Sequence, residues 1–463
     1  LSELLPSGGG QNVVEFTADG SISSGAAVAL TSAGKAKAIS STGNPATVPN
    51  GSVTDVTTSM NGGGVNQKIE FDPHNSNRVI ATSIDGNGYQ RLTVGNYSGN
   101  TVTWGTPVVL LSDYIGQSSP FTFDPVNENE IVIVLKETGN DYRLVPATIS
   151  GTSITLGVKN QFHSTSRIEV TGGMIAMDPS SSTRQGVIVF VSSDGFGNFY
   201  DMAFTVSGTG SSATITKGSV TNVASGYDAS DYTSVVFNSS GTFIINGDGS
   251  GSNRVFAYAG TLSTTTITRG SITPLTGVGG TATSAIAVDP ADATKIILAY
   301  YVSSSSSKIA VGTLSGTGNR TITWATAQDL TTTKQYLNVC IAFNPAKTDG
   351  TFVIAFTNST DANVEAILAS YSGTTITLGS ATQLDSLNND RVWCDFDHTS
   401  GLFAVIYKNT DTNQKISVIQ GSDTSSNVAD FIGLASAAIS DTASGDINVK
   451  GGINEAQTGL TIG

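Results

Sequence analysis

The stretch IAVDPADATKIILAYY (residues 286–301) holds two short apolar runs hinged on Asp289-Pro290. The first run alternates and the second is continuous and β-branched. Between them lies turn chemistry, because an Asx side chain accepts backbone N–H groups and Pro fixes φ. The stretch therefore reads as strand–turn–strand. The same apolar-x-apolar-Asx pattern occurs at Ile69-Glu70-Phe71-Asp72, Phe121-Thr122-Phe123-Asp124, Ile175-Ala176-Met177-Asp178, Val235-Val236-Phe237-Asn238, Ile341-Ala342-Phe343-Asn344 and Cys394-Asp395-Phe396-Asp397. Spacings of 51 to 60 residues between the Asx positions mark a repeat array.

Each copy continues alike. A β-branched run follows the turn (EIVIVL at 130–135, TFVIAF at 351–356), then a Gly/Ser/Asn turn and a third run (KIAVGTL at 308–314). A Ser-Gly turn then leads to a fourth run such as SITLG (153–157), TITKG (214–218) or TITRG (266–270). We denote these strand positions A to D. Four short antiparallel strands per repeat, arranged radially, predict an all-β chain folded as a seven-bladed β-propeller. Only six D strands are evident, because GSDTSSN follows the seventh C strand, KISVIQ (415–420). An open edge there is a liability. The segment PATVPNGSVTDV (45–56) aligns with SATITKGSVTNV (212–223), a D strand and its exit. The reading therefore places residues 46–50 on the edge of the seventh blade, paired with 415–420, with Pro49 tolerated at an edge. The propeller spans residues 45–420.

The remaining flanks, 1–44 and 421–463, are each too small to bury a core. Both carry strand-like alternation, and together they are expected to form one composite β-barrel or sandwich. Residues 16–35, FTADGSISSGAAVALTSAGK, with FIGLA (431–435) and SGDINVKGG (444–452), resemble small β modules of tailed-phage structural proteins, of the tail-fibre, appendage or capsid-decorating type. The resemblance covers roughly 80 flanking residues. It implies a non-enzymatic virion protein, with other virion proteins and copies of itself as partners, and host-surface adhesion or assembly as the propeller's role. In such modules the chain continues past a TGLTIG-like stretch, which implies a further C-terminal region.

Composition narrows the function classes. The 463 residues carry 13% charged side chains, 38% hydrophobic ones, 52 glycines and a net charge of −14. Lys and Arg are scattered singly, which argues against nucleic-acid or anionic-membrane binding. No apolar run reaches the length of a membrane span. The N-terminal LSELLPSGGG lacks a basic n-region and an apolar h-region. Virion localisation is expected, with an extracellular or cell-surface setting as the alternative.

No catalytic or metal-binding motif is evident, and no cofactor, metal or enzymatic activity is expected. The recurrent Asx reads as a turn former. His74 and His398 fall in the A–B turns, next to it. The hairpins at Asp85, Asp194 and Asp248 offer one carboxylate each, too few for a calcium loop. They resemble sialidase Asp-box turns only faintly, since the Gly spacing departs and the Trp is missing. Cys340 and Cys394 sit at opposite phases of their strands, so they are expected to be buried and unpaired. The D–A connections read as loops of about 10–15 residues, longer than usual. On them lie Tyr114, His163, Tyr227, Asp228, Asp231, Tyr232, Tyr336, Asp390 and Arg391. Aromatics, amides and carboxylates on one face suit recognition of a host-surface glycan or protein. The alternative function is accordingly a carbohydrate-binding or carbohydrate-cleaving propeller, with Asp228, Asp231 and Asp390 as its clustered carboxylates.

Overall fold

The computed structural model describes residues 13–449 apart from 19–20, 25–26, 31–34, 39–51, 58–66, 86, 99–100, 112–118, 167, 171, 193–197, 226–232, 249–254, 276–283, 304–305, 332–335, 359, 362, 386–391, 399–400, 409–413, 421–430, 436 and 441. Contacts divide the chain into two units, Leu1–Ala46 with Ser422–Gly463, and Thr47–Gly421.

The larger unit is a β-propeller of antiparallel sheets. The sheet begun by Phe121–Phe123 shows the plan. That strand pairs with Glu130–Lys136, which pairs with Tyr142–Ser150, which pairs with Ser153–Leu156. Six blades, not seven, are built from consecutive strands. The seventh repeat supplies only Trp393–Phe396, Leu402–Lys408 and Gln414–Gln420, and a distant strand, Ser52–Thr57, completes that sheet.

The register of this composite sheet corrects the expected one. Thr54 faces Ile416 and Ser52 faces Val418, with a shift between Gln414 and Lys415. The paired residues thus begin at 52, whereas 46–50 lie outside the described residues. The reason is visible in the other blades, where the D edge comes in two pieces. Thr214–Lys217 pairs with one half of Asn198–Ser207, and Thr221–Ser225 pairs with the other half. Ser52–Thr57 aligns with the second piece. The sequence reading recognised only the first and assigned the second to a loop.

The recurrent Asx works as a turn former. The N–H two residues on donates to Asp72, Asp124, Asp178, Asn238, Asp289 and Asn344 at 2.8–3.0 Å. Its second polar atom often joins blades. Arg184 reaches Asp124 Oδ2 at 2.5 Å, and Asn238 Nδ2 donates to the Ala293 carbonyl at 2.7 Å. Asp85 is held likewise, accepting from the Asn87 and Tyr89 N–H groups and from Arg91. Among the described residues no three His, Cys, Asp or Glu side chains gather as a metal set.

Between blades the core is apolar. Ile69, Phe71, Val79, Ala81, Leu402, Ala404 and Ile406 form one buried cluster where the composite sheet meets the Ile69–Phe71 blade. The cysteines show how blades face one another. Cys340 and Cys394 are unpaired and buried in a single cluster, and Cys340 shares a hydrogen bond with Cys394. Opposite phases on neighbouring A strands point two side chains at each other across the interface, not apart. Burial pushes the Cys394 thiol up, and the Cys340 contact adds to this.

In the smaller unit both ends of the chain interleave in one five-stranded sheet, in the order Val13–Thr17, Ser444–Val449, Phe431–Ala435, Ala27–Leu30, Ala36–Ala38. Among the described residues, Ala18, Ile22, Val28, Ala36, Ile439 and Ile447 form its buried apolar cluster.

Glycines ending two of the first D pieces permit close approach of the neighbouring blade. A Cβ on Gly270 would lie 1.8 Å from the Arg320 carbonyl oxygen, and one on Gly218 would lie 2.2 Å from that of Thr265. Backbone cannot yield as a side-chain tip does, so Gly270→Ala is expected to destabilise by roughly 1–3 kcal/mol. Urea unfolding checks this against Thr268→Ala on the exposed edge, expected within about 0.5 kcal/mol of the parent.

Candidate functional site

The A strands stand side by side around an axis. They contact one another from Phe121–Phe123 round to Trp393–Phe396, which in turn contacts Ile69–Phe71. They enclose a cavity of about 410 Å³. Successive side chains of a strand point to opposite faces, so the central residue of each apolar-x-apolar triplet faces this channel. Those residues are Glu70, Thr122, Ala176, Val236, Ala287, Ala342 and Asp395, and all seven line it. The wall is thus strongly one-sided. Its only charged triplet positions, Glu70 and Asp395, are adjacent, on the first and last A strands. Lys68, just ahead of the first strand, and Trp393, opening the last, lie two residues earlier and also line the channel.

This polar seam is well tied. Lys68 Nζ stands 2.7 Å from Glu70 Oε2, donates to the Phe121 carbonyl and lies 5.2 Å above the Phe121 ring. Asp395 Oδ2 accepts the Phe71 N–H at 2.8 Å, so this carboxyl bridges the closing blades. Trp393 lies against the glycine pair of the Asp178 repeat, for a Cβ on Gly173 would meet the indole Cη2 at 2.7 Å. Gln67 also lines the channel and is only 3% exposed, yet neither its amide nitrogen nor its amide oxygen has a hydrogen-bond partner. At the other end lie Pro179, Pro290, Pro345 and His398, from the A–B turns.

Two groups here are shifted. Burial, then the neighbouring Glu70 charge, pushes the Asp395 carboxyl up to about 8. The channel leaves that side chain part-exposed, which tempers the penalty. Partial desolvation lowers the His398 imidazole below its usual value, against the opposing pull of Glu70, Asp397 and Asp72, although the residue as a whole stays exposed.

The sequence-derived candidates fare differently. His163 lies on a strand, Asn160–His163, and not in a loop. Its Nε2 sits 3.0 Å from Ser166 Oγ, and its ring packs near Tyr142 and Phe190. It therefore fastens a blade edge. Tyr336 begins the strand Tyr336–Phe343. Tyr114, Tyr227, Asp228, Asp231, Tyr232, Asp390 and Arg391 lie outside the described residues. Gln67, Glu70, Trp393 and Asp395 went unrecognised as site residues. The missed signal was the middle position of the repeated triplet, charged in only two of seven copies.

No family model and no curated protein matches this chain. Solved structures do. A lectin from Burkholderia pseudomallei matches over 78% of this chain and 97% of its own, with a TM-score of 0.60 at 10% identity. The periplasmic gluconolactonase of Pseudomonas aeruginosa matches over 81% and 99%, at 0.48 and 9%. The NanB sialidase of Streptococcus pneumoniae matches over 85% and 73%, at 0.44 and 13%. The lectin likeness shows a shared propeller fold, and at such identity that is all it shows.

The raised Asp395 carboxyl makes a signed prediction. The folded state holds its proton up to about pH 8, whereas the unfolded chain releases it near pH 4. Its contribution to stability is therefore greatest at acid pH and declines as pH rises across that window. Asp395→Asn keeps the acceptor for Phe71 and does not titrate. Urea unfolding at pH 5 and pH 8 should show the variant gaining on the parent with rising pH. A difference that stays constant would contradict the assignment.

Proposed function

We propose that the protein is a carbohydrate-binding propeller whose site is the axial channel, with the composite sheet serving as the closing blade of the ring. One observation carries this reading, the one-sided channel in which Trp393, Gln67, Glu70 and Asp395 confront a wall of Ala and Val. A sugar ring offers an apolar C–H face and a rim of hydroxyls, and such a wall can receive both. The unpartnered Gln67 amide offers one donor side and one acceptor side to a hydroxyl rim. The volume falls in the ordinary range for small ligands, about 300–1,000 Å³. A shared fold with a lectin is consistent with this reading but does not establish it.

The reading is one of binding without cleavage. Glu70 is paired with Lys68, and one oxygen of Asp395 accepts backbone N–H from the neighbouring blade, so the two carboxyls do not stand as a free acid–base pair. The resemblance of the flanks to phage modules adds a second proposal, display of the propeller on a particle or cell surface. The observation that favours it is the interleaved terminal sheet, which would serve as the docking part.

A glycan array followed by titration calorimetry tests the function. The protein should retain at least one glycan class, and Trp393→Ala and Gln67→Ala should each weaken binding about tenfold or more, roughly 1.4 kcal/mol. The Gln67→Ala midpoint should stay close to the parent's, and Trp393→Ala, which also removes packing on Gly173, should still unfold cooperatively above the assay temperature. Failure to retain any glycan, or undiminished binding by both variants, would remove the reading.

A further inference from the structure

The chemistry of the seam narrows the ligand. Lys68 is the only cationic side chain among the described residues lining the channel, apart from the titratable His398, and its ammonium is already engaged by Glu70 and the Phe121 carbonyl. The carboxyls of Glu70 and Asp395 face the channel from adjacent strands, so two acids share one cation. Gln67, 3% exposed, adds an amide oxygen with no partner. The indole of Trp393, two residues before Asp395 on the same strand face, offers a π surface that attracts cations. Acceptors therefore outnumber the donors left for a ligand. A guest rich in donors and positively charged fits this balance better than a neutral or anionic one, because a second anion beside Glu70 would be repelled.

We propose that the axial site seats a primary ammonium group between Asp395, Gln67 and the Trp393 ring, and that its ligand class is an amino sugar with a free amine. The inference rests on the carbohydrate reading and sharpens it. The ammonium supplies the missing counter-charge, so the Asp395 carboxyl ionises on binding and passes its proton to the buffer. The other titratable groups nearby are Glu70, Lys68, Asp72, His74, Asp397 and His398. The wall across from the seam, Ala176, Val236 and Ala287, takes the apolar face of the ring.

The test is calorimetry on the full chain at pH 6, where the ligand amine and Asp395 both start protonated, with three probes, a glucosamine oligomer, the N-acetylglucosamine oligomer of equal length, and an alkyl diamine. The glucosamine oligomer is expected to bind at least tenfold more tightly than the acetylated one. Buffers of different ionisation enthalpy should report a proton released. Asp395→Asn should cut the preference to below twofold, and Gln67→Glu should raise it. Unfolding midpoints show that both variants fold. Equal or tighter binding of the acetylated oligomer would falsify the ammonium seat while leaving carbohydrate binding intact. Diamine binding as tight as that of the amino oligomer overturns the sugar assignment. If neither oligomer binds although the array retains other glycans, the amino-sugar class falls and the function reading survives.

Discussion

The pairing of Ser52–Thr57 with Gln414–Gln420 is the constraint on which the propeller depends. The blades made of consecutive strands need only their neighbours in the chain. The last three strands of the array would otherwise present an open edge, and a radial stack gains nothing from its final interface unless first and last meet. Closure brings Trp393–Phe396 against Ile69–Phe71, seals the apolar cluster around Phe71 and Leu402, and places the Asp395 carboxyl on the Phe71 N–H. Backbone pairing, apolar burial and one side-chain hydrogen bond thus act at a single junction.

The candidate site is a by-product of that junction. Around most of the axis the triplet's middle residue is Thr, Ala or Val, as suits a close ring of strands. At the junction it is Glu and Asp, flanked by Lys68 and Trp393. The polar residues that fasten the first blade to the last also make one wall of the channel polar. Structure and recognition use the same side chains there, which leaves the orphaned Gln67 amide as the group without a structural task.

Much of this was legible in the sequence. The repeat, the strand order, the Asx turns and the need for an N-terminal closing strand all follow from spacing and turn chemistry. What escaped has physical causes. The D edge breaks into two pieces, and the second lacks the Thr-Ile-Thr signature, so it read as loop, and the closing segment was placed six residues too early. The site was sought in long connections because loops commonly carry function. The channel residues sat within the most regular part of the repeat, where strand periodicity explained them too readily.

Closure joins residues roughly 360 positions apart, and this bears on how the protein is made. At about 5–20 residues per second the closing strand waits roughly 20–70 s on the ribosome before its partner is translated. During that interval the earlier blades can assemble in order through local contacts, but the ring stays unlocked and both of its future edges are free to mispair. Ser52–Thr57 carries Ser, Thr and Asp among its valines. A modestly polar strand of this kind is a poor seed for aggregation, and this suits a segment that must stay exposed until its partner is made.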